Sequence, residues 1–410
     1  MLVEDFVPAR KADASAVPPP SATHPAVALA GLVAFLGVLT FLCISELRPE
    51  KTPDAAFLVI ILTGAAIFAT DMIAARVHLK PSTGLRYDTH NPSIARTSCK
   101  LLGACVSVFA VGAIYWLAPE YEADFYTPFF DAVTTYLPYA IVLAPVYFYY
   151  VDSYMVDPHD GYWHLGSVVL LKTGQAEPGI VVQHLLGWLV KGFFLPLMFV
   201  YLCRDLDWLF AVDFGRLNSF ALFYGVAYKL AFLVDVGLAT VGYLLAVRIF
   251  DTHIRSAEPT LFGWLVAVIC YEPFASLVMR QYFDYSSGLR WDAWLADNPF
   301  LSVMWGCAIL LLVGVYAWST VMFGARFSNL THRGIITSGP YRWTRHPAYI
   351  AKNLSWWLIY IPFVPRLSAA EAIQHCLLLV GVNIIYLLRA KTEERHLAVD
   401  PDYRAYSRFV

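Results

Sequence analysis

The sequence has little charge. Asp, Glu, Lys and Arg make up only 15% of its 410 residues, whereas hydrophobic residues make up 59%. A water-soluble protein of this length could not keep so much apolar surface out of water, so the composition predicts a protein that crosses a membrane several times. The formal net charge of -2 provides no basic surface for a phosphate backbone. Nucleic acid is therefore excluded as an expected partner.

Cysteine and the usual nucleotide-binding motifs are scarce or missing. The seven cysteines form no C-x-x-C pair and no spacing typical of a metal site, so we expect small buried hydrophobic side chains and no bound metal. The chain has no G-x-G-x-x-G after a strand, no P-loop and no long polar stretch. Any nucleotide-containing cofactor must then be held by membrane helices and their loops.

Long apolar runs fill most of the chain. They predict an all-α fold, a polytopic transmembrane helical bundle of about ten spans. The sixth run is too long for a simple span, and the ninth is short enough to stop before the far side of the membrane. The ten predicted segments are 25–45, 55–75, 98–117, 132–151, 187–203, 218–247, 260–278, 299–322, 347–363 and 370–389.

The charges of the loops predict how the chain is oriented across the membrane. Loops after the second, sixth and eighth segments are rich in Arg and Lys, whereas the alternate loops are acidic or mixed. By the positive-inside rule both termini lie in the cytoplasm, which requires an even number of spans. Residues 1–23 are polar, rich in Pro and Ala, and lack an apolar core. We expect a disordered cytosolic tail there rather than a cleaved signal peptide.

The last quarter of the chain carries an ordered set of polar motifs. Residues 339–349 read GPYRWTRHPAY and open an apolar hairpin, which closes at residues 391–397 with KTEERHL. Both ends of a membrane hairpin return to one face, so the two motifs can form a single polar site. Pro347 suits the first turn of a helix. Arg345 and His346 would then lie at a helix N-terminus, where free N–H groups favour a carboxylate or phosphate.

Two adjacent acidic residues end the hairpin. Glu393 and Glu394 would lie at a helix C-terminus, where the helix dipole disfavours negative charge. Such a pair indicates a compensating partner, which could be a cation, a ribose hydroxyl or a basic loop. Arg342 and Arg345 are available on the same side.

The combination of GPYRxxRHPxY, a hairpin, TEExxL and a final Tyr-x-x-Tyr resembles the isoprenylcysteine carboxyl methyltransferase (ICMT) family. Phospholipid N-methyltransferases and related bacterial membrane methyltransferases share the pattern more loosely. The resemblance covers about residues 327–410. It implies a membrane-embedded enzyme that encloses S-adenosyl-L-methionine between its last helices and its C-terminal segment. A lipophilic or lipidated acceptor would come from the bilayer, and membrane lipids would be the other partners.

The resemblance also implies roles for individual residues. Arg345 and Glu394 would be catalytic, and Arg345 would hold the acceptor together with Tyr403 and Tyr406. No metal is implied. The implied cofactor-binding residues are Gly339, Tyr341, His346, Pro347, Tyr349, Glu393 and Glu394.

One departure from the pattern concerns the residues after the motif tyrosine. Where the family often has Gly, this chain has Ala351, followed by Lys352. The acceptor stays open on the sequence. A carboxylate would need a cation such as Arg345 to hold it, whereas an amine would need Glu393 or Glu394 as a base.

The predicted organisation has three parts: the tail 1–23, an N-terminal membrane bundle 24–298 of unassigned role, and an ICMT-like core 299–410. The active site is expected at the cytoplasmic face. Oligomeric state is not predicted.

Two other functions compete with the methyltransferase. An NADPH-dependent membrane reductase of the sterol-reductase type has a similar RHPxY motif and hairpin, although the TEExxL ending favours the methyltransferase. A transporter would use charged residues inside the spans, but the ordered motif would then be unexplained and no inverted repeat supports it. We expect those intramembrane charges to face the bundle interior or pair together: Asp71, Lys191, Lys229, Asp235 and Glu272.

Overall fold

The computed structural model describes residues 18–118 and 123–410. Most of this part of the chain is helical and very little of it is strand, which confirms the all-α prediction. Two short antiparallel strands, β1 (Ser256–Ala257) and β2 (Thr331–His332), pair Ser256 with His332 and Ala257 with Thr331. The α-helices are α1 Pro25–Ile44, α2 Thr52–Thr70, α3 Ile94–Leu117, α4 Ala123–Tyr154, α5 Gly161–Val169, α6 Pro178–Ala211, α7 Phe220–Leu244, α8 Leu261–Val268, α9 Arg280–Tyr282, α10 Trp291–Trp294, α11 Pro299–Val321, α12 Pro347–Tyr360, α13 Ala369–Leu397 and α14 Pro401–Phe409.

Eight helices of the described residues are long and apolar enough to cross a membrane: α1, α2 with its continuation to Ala75, α3, α4, α6, α7, α11 and α13. They confirm a polytopic bundle. The two remaining predicted segments contain shorter helices. In 260–278, α8 has eight residues, and Pro273, which lacks an N–H, stands in the turns that follow. In 347–363, α12 has 14 residues, as expected for the short ninth segment.

Capping residues set the ends of the helices that matter for the site. α12 begins at Pro347 with His346 as its N-cap, as predicted. The Ser368 hydroxyl accepts the Glu371 N–H at the start of α13. The Asp400 carboxylate accepts the N–H of Asp402 and of Tyr403, which starts α14 directly after α13.

The charges inside the spans have separate partners. The Asp71 carboxylate accepts a hydrogen bond from Arg326 Nη1 at 3.3 Å, and Glu272 pairs with Arg280 at 2.5 Å. Asp235 accepts hydrogen bonds from hydroxyl groups of α11. The ammonium groups of Lys191 and Lys229 lie over the rings of Trp188 and Trp208. Asp71 and Asp235 are buried, as expected for charges that face the bundle interior. The alternative, that the five charges pair with one another, is not what the structure shows, because each has a partner outside the set.

The cysteines differ in burial. Cys99 and Cys203 are buried, as expected, whereas Cys43, Cys105 and Cys307 are exposed. These three lie on outward helix faces, and a thiol tolerates an apolar surrounding.

Both described ends of the chain contact the same loop. The Thr337 hydroxyl donates to the Pro19 carbonyl, and the Ala22 N–H donates to the Ile335 carbonyl. The end of the predicted disordered tail is therefore ordered from residue 19, while residues 1–17 lie outside the described residues. At the other terminus, Arg345 donates to the carbonyl of Val410.

The two membrane parts of the chain share one core. Apolar residues of α1, α2, α6 and α7 pack in the same cluster as Tyr341, Tyr403 and Tyr406. The buried Arg333 guanidinium donates to the carbonyls of Gly242 and Thr252 in the N-terminal part, and to nearby carbonyls of its own loop. The loop before α12 is therefore fastened to α7 and to the segment after it.

Candidate functional site

A cavity of about 170 Å³ lies where α12, α13 and α14 meet the rest of the bundle. Its walls include the loop 323–336 and side chains of α7 and α11 as well. Most of the predicted site residues line it: Tyr341, Arg345, His346, Tyr349, Glu393, Tyr403 and Tyr406. The two motifs of the hairpin therefore meet, as predicted.

The two glutamates of α13 meet the histidine that precedes α12. His346 Nε2 lies 3.1 Å from Glu394 Oε1, and His346 Nδ1 lies 3.7 Å from Glu393 Oε2. Lys391 Nζ also contacts Glu394, at 2.8 Å. Basic groups on three sides thus offset the unfavourable position of two carboxylates near a helix C-terminus.

Only one of the two arginines expected to compensate the glutamates does so. Arg345 Nη1 lies 3.6 Å from Glu394 Oε1. Arg342 is exposed, and within the described part of the chain it has no ion-pair partner. Arg389, which the sequence analysis did not single out, has Nε 3.7 Å from Glu393 Oε1.

Tyr349 joins this group through its ring and its hydroxyl. The hydroxyl donates to Glu393, and the ring stacks on His346 with 5.5 Å between ring centroids. The Arg389 guanidinium lies 5.1 Å from the centroid of the Tyr349 ring. Arg389 is only 3% exposed and donates to the side-chain carbonyl of Asn329. The carboxylates are therefore held in fixed positions by groups that are themselves anchored.

Arg345 fastens the C-terminal helix. Its Nε donates to the Val410 carbonyl at 3.0 Å and its Nη2 donates to the Ser407 carbonyl at 2.7 Å. These carbonyls end α14 and have no partner within the helix. Nη1, which lies 3.6 Å from Glu394 Oε1, takes no part in these bonds and is the group of Arg345 left for the predicted contact with an acceptor.

The two tyrosines of α14 are buried against the same loop. The Tyr406 hydroxyl donates to the Tyr341 carbonyl at 2.6 Å. The Tyr403 hydroxyl is buried, lines the cavity and has no hydrogen-bond partner among the described residues. Burial raises the pKa of Tyr403 well above its usual value. The hydroxyl therefore keeps its proton and is a free donor facing the cavity.

Gly339 and Pro347 shape the loop and lie outside the cavity wall. Gly339 has φ of +62°, and a Cβ there would lie 2.6 Å from Met322 Cγ. Glycine is thus required for the turn that leads into the buried Tyr341. Pro347 is buried at the first turn of α12.

His332 lies on β2 at the edge of the cavity. Its Nε2 is 3.2 Å from Asp400 Oδ2. Burial lowers the pKa of His332 to about 4, and the nearby Asp400 only partly offsets this effect. The imidazole is therefore neutral near pH 7, and it adds no positive charge to the site.

Several groups of the site escaped the sequence analysis. Arg389 precedes Glu393 by four residues, a spacing that places both on one face of a helix and was a usable signal. Asn329 and Tyr271 approach Arg389 from a loop and from the segment after α8. No local pattern predicts that approach, because it depends on how distant segments pack.

Comparison with known proteins gives one match. Residues 301–399 match the model of the isoprenylcysteine carboxyl methyltransferase (ICMT) family. No curated protein and no solved structure matches the chain. The match confirms the resemblance predicted from the motifs, includes α12 and α13 with both glutamates, and indicates a membrane methyltransferase.

Proposed function

We propose that the chain is a membrane-embedded methyltransferase that uses S-adenosyl-L-methionine and a lipophilic acceptor. One observation carries the proposal. Glu393, in the segment that matches the ICMT family, lines the cavity together with His346 and Tyr349, and the adjacent Glu394 lies outside the cavity wall, 3.1 Å from His346.

The groups around the cavity fit this cofactor. Carboxylates such as Glu393 accept hydrogen bonds from ribose hydroxyls or from an ammonium group. Arg389 Nε and the Tyr403 hydroxyl are buried donors without hydrogen-bond partners among the described residues, and they suit the cofactor's carboxylate. Phe323 and Phe327 add aromatic surface to the wall. When bound, the cofactor supplies a methyl group activated by a sulfonium centre.

The protein's own contribution is to hold the cofactor and the acceptor in line and to keep water away from them. Methyl transfer is an in-line displacement, so alignment and exclusion of water supply most of the acceleration. Glu394 is fixed by His346 and Lys391, which suits cofactor binding. Arg345 acts in this proposal as a positioning residue, since it closes α14 over the site through the carbonyls of Ser407 and Val410.

The surroundings support a lipophilic acceptor. Three of the eight long apolar helices, α7, α11 and α13, contribute side chains to the cavity, so an acceptor that partitions into the bilayer is favoured. We place the site on the cytoplasmic side, because the loops that form it are the basic ones.

The transporter hypothesis loses support from the arrangement of charges. Asp71, Lys191 and Glu272 each bind a different partner, and none of them lines the cavity. They form no continuous polar path with Asp235 in the part of the chain that the structure describes. The reductase differs from the methyltransferase mainly in its cofactor, so cofactor binding separates the two.

Calorimetric titration of purified full-length protein tests the proposal. The ligands are S-adenosylhomocysteine and NADPH, and the proteins are the wild type, Glu394→Gln and Glu371→Gln. Glu371 lies on the same helix but in its exposed first turn. We expect S-adenosylhomocysteine to bind the wild type and the Glu371 control, with affinity roughly tenfold or more lower in Glu394→Gln, because His346 and Arg345 of the cavity wall lose the carboxylate that holds them. Binding of NADPH alone would replace the proposal with the reductase.

A further inference from the structure

The cavity has a second polar pair that the cofactor proposal does not use. Asp235 of α7 and Lys352 of α12 both line it. Lys352 follows Ala348 by four residues and so lies on the same face of α12, one turn farther from the helix N-terminus. Neither residue belongs to the motif that identified the site, and Asp235 lies outside the matched segment.

The ammonium group of Lys352 is surrounded by aromatic rings. Its Nζ lies 5.1 Å from the ring centroid of Tyr316, 5.5 Å from that of Trp356 and 6.0 Å from that of Tyr386. Among the described residues it has no ion-pair partner and no hydrogen-bond acceptor. Ring contacts stabilise a cation but accept none of its three N–H groups in the way that an oxygen does. The subsite therefore offers donors to a ligand.

Asp235 provides the matching acceptor. Its Oδ2 accepts a hydrogen bond from the Tyr316 hydroxyl at 2.5 Å, and its Oδ1 accepts one from the Thr320 hydroxyl. Each carboxylate oxygen keeps a further acceptor position. Asp235 and Lys352 form no direct ion pair, but both lie against Tyr316. Tyr316 connects the two, with its ring beside the ammonium and its hydroxyl on the carboxylate.

The charges select the chemistry of the ligand. A carboxylate ligand would bind Lys352 but place a like charge beside Asp235, and an ammonium ligand would meet the same difficulty at Lys352. The charges of Asp235 and Lys352 balance each other, and the nearby Arg389 has Glu393 as its partner. Any charged ligand would therefore leave an uncompensated charge among membrane helices. A hydroxyl group is uncharged and can donate to Asp235 while it accepts from Lys352.

We propose that Asp235 and Lys352 form a binding subsite for the uncharged hydroxyl group of an apolar ligand, of which a phenol is the simplest form. The aromatic side chains around Lys352 suit a flat ring next to that hydroxyl. The identification of this ligand as the methyl acceptor rests on the proposed function, whereas the binding itself does not.

Competition binding on the full-length protein in lipid nanodiscs tests the subsite. Radiolabelled 4-dodecylphenol is the probe, and unlabelled dodecanoic acid and dodecylamine compete with it. We expect the phenol to bind the wild type more tightly than either charged ligand. Preference for either the acid or the amine would overturn the proposal.

Two substitutions and a matched control locate the binding. Asp235→Asn and Lys352→Met should each weaken phenol binding about tenfold or more, since each removes a charged hydrogen-bond partner. Asp235→Asn should also reduce the ratio of phenol affinity to acid affinity, because the Asp235 carboxylate no longer repels the carboxylate of dodecanoic acid. Lys191→Met removes another lysine of a spanning helix that lies over a tryptophan ring and outside the cavity, and it should leave phenol binding unchanged. Unchanged phenol binding in both site variants would refute the subsite.

Titration with S-adenosylhomocysteine on the same samples separates this proposal from the proposed function. A variant that keeps S-adenosylhomocysteine binding is folded, so its loss of phenol binding supports the subsite. Should Asp235→Asn fail to fold, Lys352→Met carries the test. Phenol binding without S-adenosylhomocysteine binding in the wild type would support the subsite and refute the methyltransferase, and the reverse result would refute the subsite alone.

Discussion

The buried ion pair of Asp71 and Arg326 shows how single residues hold charge inside this protein. Asp71 and Arg326 form an ion pair at 3.3 Å, and both side chains are fully buried. Arg326 also donates to the hydroxyl of Thr23 and to the carbonyl of Phe250. The pair thus joins α2 to the loop before the site and to the N-terminal segment. Removing one partner should lower the free energy of unfolding mainly because it leaves the other charge buried and unpaired.

Breaking this pair should strongly destabilise the protein. Arg326→Met leaves Asp71 buried without its partner, and we expect a loss of about 3 to 5 kcal/mol in the free energy of unfolding. The double variant Arg326→Met with Asp71→Leu should recover much of that loss. Arg280 pairs with Glu272 but has a side chain that is 74% exposed, so Arg280→Met should cost less than about 1 kcal/mol. Unfolding titrations in mixed micelles measure these differences, and equal losses for the two arginines would contradict the argument.

His253 makes the stability depend on pH. Burial and the nearby Arg248, Arg255, Arg333 and Arg326 lower the pKa of His253 to about 2. In the unfolded chain a histidine takes up its proton near pH 6.5. Below that pH the unfolded state binds more protons than the folded state, so the free energy of unfolding falls as the pH falls.

His253 should lower the free energy of unfolding by at most about 2 kcal/mol between pH 7 and pH 5. His253→Gln should reduce this dependence, while His332, whose pKa burial lowers to about 4, maintains part of it. His159 is half exposed, and His159→Gln serves as the control. Thermal unfolding of the detergent-purified proteins across this range is the measurement. A pH slope as steep in His253→Gln as in the wild type would rule out this origin.

Among the secondary-structure elements, α14 is the one whose position depends on a few polar contacts. Arg345 binds the last carbonyls of this helix and Tyr406 binds the carbonyl of Tyr341. The Asp400 cap begins the helix directly after α13. Because Tyr403 and Tyr406 both line the cavity, the docking of α14 decides whether the site is enclosed.

Arg345→Ala should release α14. We expect faster amide hydrogen exchange in residues 401–410, together with weaker S-adenosylhomocysteine binding, because a wall of the cavity becomes mobile. Arg404 lies on the same helix but donates only to the Ala398 carbonyl at 3.5 Å and is exposed. Arg404→Ala is therefore the control. If Arg345→Ala weakens binding while exchange in α14 stays unchanged, Arg345 contacts the ligand directly.

On the scale of the whole molecule, residues 19–22, Val410 and the site share one face of the described structure. Residues 19–22 contact the loop 335–338. The carbonyl of Val410 accepts a hydrogen bond from Arg345. α11 runs from Pro299 to Val321 and delivers the chain to that face. We expect the residues just before α11 on the opposite side of the membrane, because α11 is long and apolar enough to cross it.

Labelling of single cysteines tests this orientation. In a background without native cysteines, Arg342→Cys reports the face of the site and Asp297→Cys reports the other, and both positions are exposed. We expect a membrane-impermeant maleimide to label Asp297→Cys in intact cells and to label Arg342→Cys only after permeabilisation. The opposite pattern would place the site outside the cytoplasm.

The class of the fold and the meeting of the two motifs follow from local features of the sequence. Apolar runs longer than the hydrocarbon core of a bilayer have few alternatives to helices that cross it. A short connection between α12 and α13 returns the chain to the face it left, so His346 and Glu394 had to come close. The N-terminal end of α12 was readable for a similar reason, because Pro347 acts on its own neighbours.

Tertiary structure alone decided the remaining parts of the site. It turned Arg345 toward α14, brought Asn329 and Tyr271 to Arg389, and set Asp235 near Lys352 across three helices. It also divided the predicted segment 260–278 into short pieces. Hydrophobicity and capping act over a few residues, whereas these contacts depend on how distant helices rotate and pack. The packing of those helices depends on side chains throughout the core, so these contacts can be identified only in the folded structure.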